Sequence, residues 1–176
     1  MFCTYTTNIE QFKERIDIAE LPKTFQDAVH VTRQLGLQYL WIDSLCIVQN
    51  DPQDWDAESK LMEQVFSSAY VTIAASCASG TEDGFLKPRT DRQCVSLTDG
   101  NGAQYYLCDA IDNFSADVDQ GELNKRGWVL QERALSRRTV YFAERQSYWE
   151  CGGGVRCETL TKMKKYAQFT AHDSVV

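Results

Sequence analysis

Residues 39–55 read YLWIDSLCIVQNDPQDW. Seven of the nine residues from Tyr39 to Ile47 suit a buried strand, and Asp43 and Ser44 interrupt them at the centre. A buried carboxylate costs several kcal/mol unless it is paired or hydrogen-bonded. Asp43 therefore has either a structural partner, as a carboxylate that caps a neighbouring loop or helix, or a place in a site. The flanking segments set the context. LPKTFQDAVHVTRQLG (21–36) predicts a helix, with Thr24 as N-cap, Asp27 three residues on, and Gly36 at the left-handed C-terminal position. Its apolar face is Phe25, Ala28, Val29 and Leu35. NDPQDWDAESKLMEQVFSSA (50–69) predicts a second helix, with Asp51 as N-cap, Pro52 at the first helical position and Asp54 at the third. Positions 58, 61, 62, 65, 66 and 69 share one face of it, which puts Glu58 at the head of an apolar stripe. YVTIAAS (70–76) reads as a further strand.

Helix, strand, helix, strand is the rhythm of an α/β fold with a mostly parallel sheet flanked by helices. In such sheets ligands bind beyond the carboxyl ends of the strands, so the loop after YLWIDSLCI is the expected site. Residues 78–122 are turn-rich and polar, with short strands at VSL and QYYLCDA. The next clear pattern is RGWVLQERALS, a helix on which Trp128, Gln131, Glu132 and Leu135 share a face. RTVYFA and QSYWEC follow as a strand hairpin turning at ERQ. No repeat or Pro/Gly-rich linker divides the chain, so residues 1–160 are expected to form one domain and 161–176 a tail.

Composition narrows the function classes. The chain has 176 residues and a net charge of −7, which leaves no basic surplus for nucleic acid or anionic membrane. No apolar run reaches the length of a membrane span, and the first residues lack the order of a signal peptide. Seven scattered cysteines read as reduced thiols in a cytoplasmic protein. Cys151 and Cys157 form the only close pair, and with His30 and His172 as the only histidines no metal site is expected. P-loop, dinucleotide-fingerprint and nucleophile-elbow patterns are missing, so acids are the candidate functional groups. Glu58 is either a site carboxylate or an interfacial one paired with Arg126 or Arg133. Cys46 reads as an inert buried thiol. The four tryptophans read as core or rim aromatics, with Trp55 placed to stack on a ligand ring.

Two stretches carry a family resemblance. LPKTFQDAVHVTRQLGLQYLWIDSLCIVQNDPQDWDAESKLMEQVFSSAYVTIAAS and RGWVLQERALSRRTVYFAERQSYWEC together resemble the fungal heterokaryon-incompatibility (HET) domain over residues 20–151. The resemblance implies a cytoplasmic cell-death effector in non-self recognition. It further implies a remote relationship to TIR domains, with a flavodoxin-like sheet, family-specific insertions and a C-terminal helix plus β-hairpin. Several TIR domains cleave NAD with a glutamate in a W-x-x-E-like context, and Trp55-Asp56-Ala57-Glu58 has that form. On this reading Glu58 is the catalytic carboxylate and NAD the substrate, with no resident cofactor. Asp43, Ser44, Trp55, Arg126, Trp128 and Glu132 line the substrate. The competing reading is a non-catalytic module that signals by self-association or through a partner protein. An apolar strand of the LSYxWG type, usual at the start of the family, has no counterpart in MFCTYTTNIEQFKERIDIAELPKT, so that strand is expected to be missing.

Overall fold

The computed structural model describes residues 2–89, 94–108, 111–121, 123–125 and 127–163. Five α-helices come in the order α1 (Ile9–Glu14), α2 (Lys23–Gln34), α3 (Asp43–Cys46), α4 (Pro52–Ser68) and α5 (Gly127–Leu135) among these residues. The strands are β1 (Thr72–Ala74), β2 (Cys94–Thr98), β3 (Gln104–Cys108), β4 (Arg138–Phe142), β5 (Ser147–Cys151) and β6 (Gly154–Cys157). β1, β4, β5 and β6 form a mixed sheet in that order, and β2 and β3 form a separate hairpin. The α/β class is as the sequence predicts. Parallel pairing is confined to β1 with β4, where Thr72, Ile73 and Ala74 lie opposite Thr139, Val140 and Tyr141. The expected C-terminal helix and hairpin are α5 and β4–β5.

YLWIDSLCI is not a strand. No described strand lies on either side of residues 38–42, which run extended but unpaired, and the chain then closes one helical turn at Asp43–Cys46. The Asp43 side chain accepts the Ser44 N–H at 2.7 Å, and the N–H groups of Leu45 and Cys46 turn back to the Ile42 carbonyl. Short polar side chains of this kind offer the backbone a local alternative to a ladder, and without a ladder that alternative wins. The amino-terminal segment straps the turn in place. The Thr4 N–H donates to the Ser44 carbonyl and the Gln49 N–H to the Thr4 carbonyl, both at 2.9 Å. Among the described residues no strand precedes Thr72.

α4 begins as the sequence dictates, with the Asp51 carboxylate accepting from the N–H groups of Gln53 and Asp54 and Pro52 at its first position. Glu58, Met62, Val65, Phe66 and Ala69 form its half-buried face, while Leu61 points to solvent. Trp41 meets Phe66 edge-on, with 5.8 Å between ring centroids, which pins the extended segment to α4. On α2 the capping assignment needs correcting. The helix starts at Lys23, and the Thr24 hydroxyl reaches across to the Gly80 carbonyl at 2.9 Å. Asp27 is no cap but a buried carboxylate that accepts from the N–H groups of Phe85 and Leu86 and from Lys23. Gly84 sits against it with φ +66°, and a Cβ there would come within 2.7 Å of the carboxylate.

The main core lies on one face of the sheet. Tyr141, Tyr148, Val155 and Cys157 pack with Ala74 and Val118, and Phe114 meets both tyrosine rings edge-on. The hairpin β2–β3 stands apart, and every residue of both strands is exposed. A Cys94–Cys108 disulfide closes its open end. That corrects the reading of all seven cysteines as reduced, because antiparallel pairing puts these two directly opposite each other, a relation invisible in their sequence spacing.

Burial alone would raise the Asp27 pKa, but the N–H of Leu86, the Lys23 ammonium and the N–H of Phe85 outweigh it and hold the carboxyl below its usual range. A depressed folded value stabilises the protein above the ordinary aspartate pKa of about 3.9, and that contribution is lost as pH falls through the lower folded value. Asp27→Ala is expected to cost about 2 kcal/mol at neutral pH by stranding the buried Phe85 N–H and the part-buried Leu86 N–H. Urea titrations should show the gap to wild type shrinking below about pH 4.

Candidate functional site

Two cavities flank the β1–β4 junction. The first, of about 920 Å³, lies between segment 37–43, one face of α2, the carboxyl end of α4, the outer side of β1, and α5. Leu40, Trp41, Phe66, Ile73 and Ala74 make its wall apolar, and Asp43, Glu132 and Arg133 bring charge to it. Trp128, exposed, stands one helical turn before Glu132 on the same lining. The cavity exists because β1 has no described partner on its outer side, so the space that another strand would fill is left between β1 and segment 37–43.

This arrangement gathers three of the expected site residues, Asp43, Trp128 and Glu132. Ser44, Trp55 and Glu58 are not on the cavity wall. Ser44 is half-buried behind Asp43, and its hydroxyl has no hydrogen-bond partner. Trp55 is exposed in the first turn of α4. Arg126 lies outside the described residues. Glu58 lies instead within electrostatic reach of Cys46. Partial burial pushes the Cys46 thiol up; a backbone contact at Ile42 opposes this, and the carboxylates of Glu58 and then Asp43 push it further up. Both acids are therefore within electrostatic reach of one sulfur, Asp43 on the cavity side and Glu58 on α4. Cys46 itself is exposed on a helical turn, which corrects its reading as a buried strand thiol.

The pairing proposed for Glu58 with Arg133 is not made. Arg133 bonds Glu150 through Nε at 2.8 Å and Asp119 through Nη1 at 2.7 Å, and lies over the rings of Phe114 and Tyr141. Burial would lower its pKa, yet the two carboxylates win and raise it. Tyr141 donates to Glu150 at 2.7 Å, and burial together with that bond pushes the phenol far up. The group is a structural latch: it fixes α5, and with it Trp128 and Glu132, to the sheet. Tyr141 and Asp119 were missed from sequence. For Tyr141 the available signal was its inward alternation in RTVYFA; Asp119 had none.

The second cavity, of about 1350 Å³, lies on the far side of Arg133 and is bounded by Arg137, Arg138, Cys151 and Lys162. The Gly153 N–H and the Trp149 side chain lower the Cys151 thiol, with Arg156 and Arg138 adding to the effect. Among the described residues no three His, Cys, Asp or Glu side chains are grouped to hold a metal ion, and no helix is long and apolar enough to cross a membrane.

A family model described as Heterokaryon incompatibility protein (HET) matches residues 3–132. That span runs from the amino-terminal strap through Glu132 and includes every expected site residue. No curated protein and no solved structure matches the chain.

Removing the Glu58 charge should lower the Cys46 pKa. Glu58→Gln is expected to speed iodoacetamide labelling of Cys46 a few-fold at mildly alkaline pH, read by peptide mapping. An unchanged labelling profile would place Glu58 away from the α3 turn.

Proposed function

From a chain that belongs to the heterokaryon-incompatibility (HET) family, we propose a cytoplasmic cell-death effector of fungal non-self recognition that binds and cleaves NAD in the 920 Å³ cavity. The observation that carries this reading is the lining itself. Ligand sites are typically clefts of about 300–1,000 Å³ with apolar walls and a few convergent polar groups. Asp43 and Glu132 supply the polar groups here, and Trp128 supplies an exposed ring surface.

The chemistry asks little of the protein beyond placed charge. As the bond from ribose C1′ to nicotinamide loosens, the ring carbon and oxygen take on positive charge and the nicotinamide leaves with the bonding electrons. A carboxylate below that ring stabilises the charge and accepts the proton of the water that adds to C1′. Glu132, on α5, and Asp43, at the start of α3, face the cavity for this work. Trp128 stacks on a base, and the Arg133 latch keeps α5 in register. Glu58 remains the carboxylate that a TIR-like mechanism would use, from α4 and across Cys46.

The test is NAD consumption by the purified protein at high concentration, in wild type and in Glu132→Gln, Asp43→Asn and Glu58→Gln. Losing the stabilising carboxylate should lower turnover by at least about 100-fold. A loss in Glu132→Gln or Asp43→Asn supports the cavity. A loss confined to Glu58→Gln moves the chemistry to α4. No cleavage by folded wild type discards the enzymatic reading and leaves the non-catalytic signalling module, which the solvent-facing apolar hairpin β2–β3 favours.

A further inference from the structure

The β2–β3 hairpin has two unlike faces. Its register pairs Val95 with Leu107 and Leu97 with Tyr105, so these four side chains share one face. Cys94 with Cys108, Ser96 with Tyr106, and Thr98 with Gln104 make up the other. The apolar face lies in solvent: Val95 is 63% exposed, Leu107 62%, Tyr105 55% and Leu97 47%. A two-stranded ribbon is marginal in water by itself, and it normally needs a surface against its apolar side. This ribbon is held by other means. The Cys94–Cys108 disulfide closes one end. At the other, the Asp99 carboxylate accepts the N–H groups of Asn101 and Ala103 and the Tyr105 hydroxyl. The face is thus kept in shape with nothing described lying over it.

The geometry points to a second copy of this chain as what covers it, the two apolar faces packing on one another about a two-fold axis. Charge is the first reason. In a chain with a net charge of −7, neither strand of the ribbon, CVSLT nor QYYLC, carries a charged residue. An uncharged patch meets its own copy without repulsion, and charge depletion is the compositional mark of an interface core. Area is the second. Four large side chains, each about half to two-thirds exposed, offer on the order of 400 Å² per copy, the size of a functional patch rather than of scattered surface residues. Doubled, that is about 800 Å², below the roughly 1,200 Å² of stable complexes, so the dimer is weak and concentration-dependent. Shape is the third, since a flat ribbon face is self-complementary and two-fold contacts are the commonest way for such a patch to close. None of the ribbon residues lines the 920 Å³ cavity, so this contact stands whether or not NAD is cleaved there.

Sedimentation velocity of the full chain, in a series reaching high micromolar concentration, tests it. Wild type should pass from monomer to dimer and stop there. Leu97→Lys/Leu107→Lys and Leu97→Glu/Leu107→Glu should each remain monomeric, with association weakened more than about tenfold. Because both positions already face solvent, circular dichroism and thermal midpoint should match wild type. Mixing the two variants should restore a dimer through opposite charges, and Tyr106→Lys, on the other face, should associate as wild type does. A monomeric wild type throughout the series would overturn the proposal and leave the face to lipid or another protein. Equal association by wild type and the charged variants would overturn it too, as would a mixture that stays monomeric or assembly that continues past the dimer.

Discussion

Three residues of β1 lying parallel to three of β4 form the one backbone ladder, among the described residues, between the first half of the chain and the second. The ladder is short, and contacts at both ends extend it. The Thr72 and Ser136 hydroxyls meet at 2.7 Å, Arg138 donates to the Tyr70 carbonyl at 3.0 Å and stacks on its ring, and the Cys77 N–H reaches the Phe142 carbonyl at 2.9 Å. Parallel strands need a long crossover. Here it is everything between Ala74 and Arg138, including the hairpin that never returns to the sheet. α2, α4 and α5 all line the cavity on the outer side of β1, and β5 and β6 continue the sheet beyond β4.

The open side of β1 follows from that constraint and gives the molecule its 920 Å³ cavity. With β4 on one side and no described strand on the other, β1 leaves an apolar slot up to segment 37–43. The same lack of a neighbour explains why a stretch as strand-like as YLWI stays unpaired, and why the Asp-Ser pair behind it settles into a helical turn. Cavity and turn are two results of one missing ladder. Asp43 stands where they meet: its carboxylate accepts the Ser44 N–H, and the residue lines the cavity.

Electrostatics divides the acids into two kinds. Asp27, Asp119 and Glu150 are committed to backbone N–H groups or to Arg133. Asp43 and Glu132 have carboxylates on a cavity wall, and Glu58 makes no hydrogen bond or ion pair among the described residues. The first kind builds the platform. The second kind stands around the cavity and the α3 turn.

Local chemistry made much of this readable from sequence. Asp51 and Pro52 start α4 because a carboxylate and a fixed φ suit a helix start wherever it lies, and Gly36 takes φ +71° because a non-glycine residue would be strained there. The β4–β5 hairpin followed from alternation around a turn. The failures share a cause. Whether YLWI becomes a strand, whether Cys94 finds Cys108, whether Arg133 chooses Glu150 over Glu58, and which face of α5 meets a cavity all depend on partners distant in the chain. A strand needs another strand's hydrogen bonds, and an ion pair goes to whichever opposite charge the packing brings nearest. The sequence by itself determined α2, α4 and α5, the family likeness and the acids worth watching. Tertiary structure alone decided which of those acids share a cavity, because that depends on the one parallel ladder and the empty side it leaves.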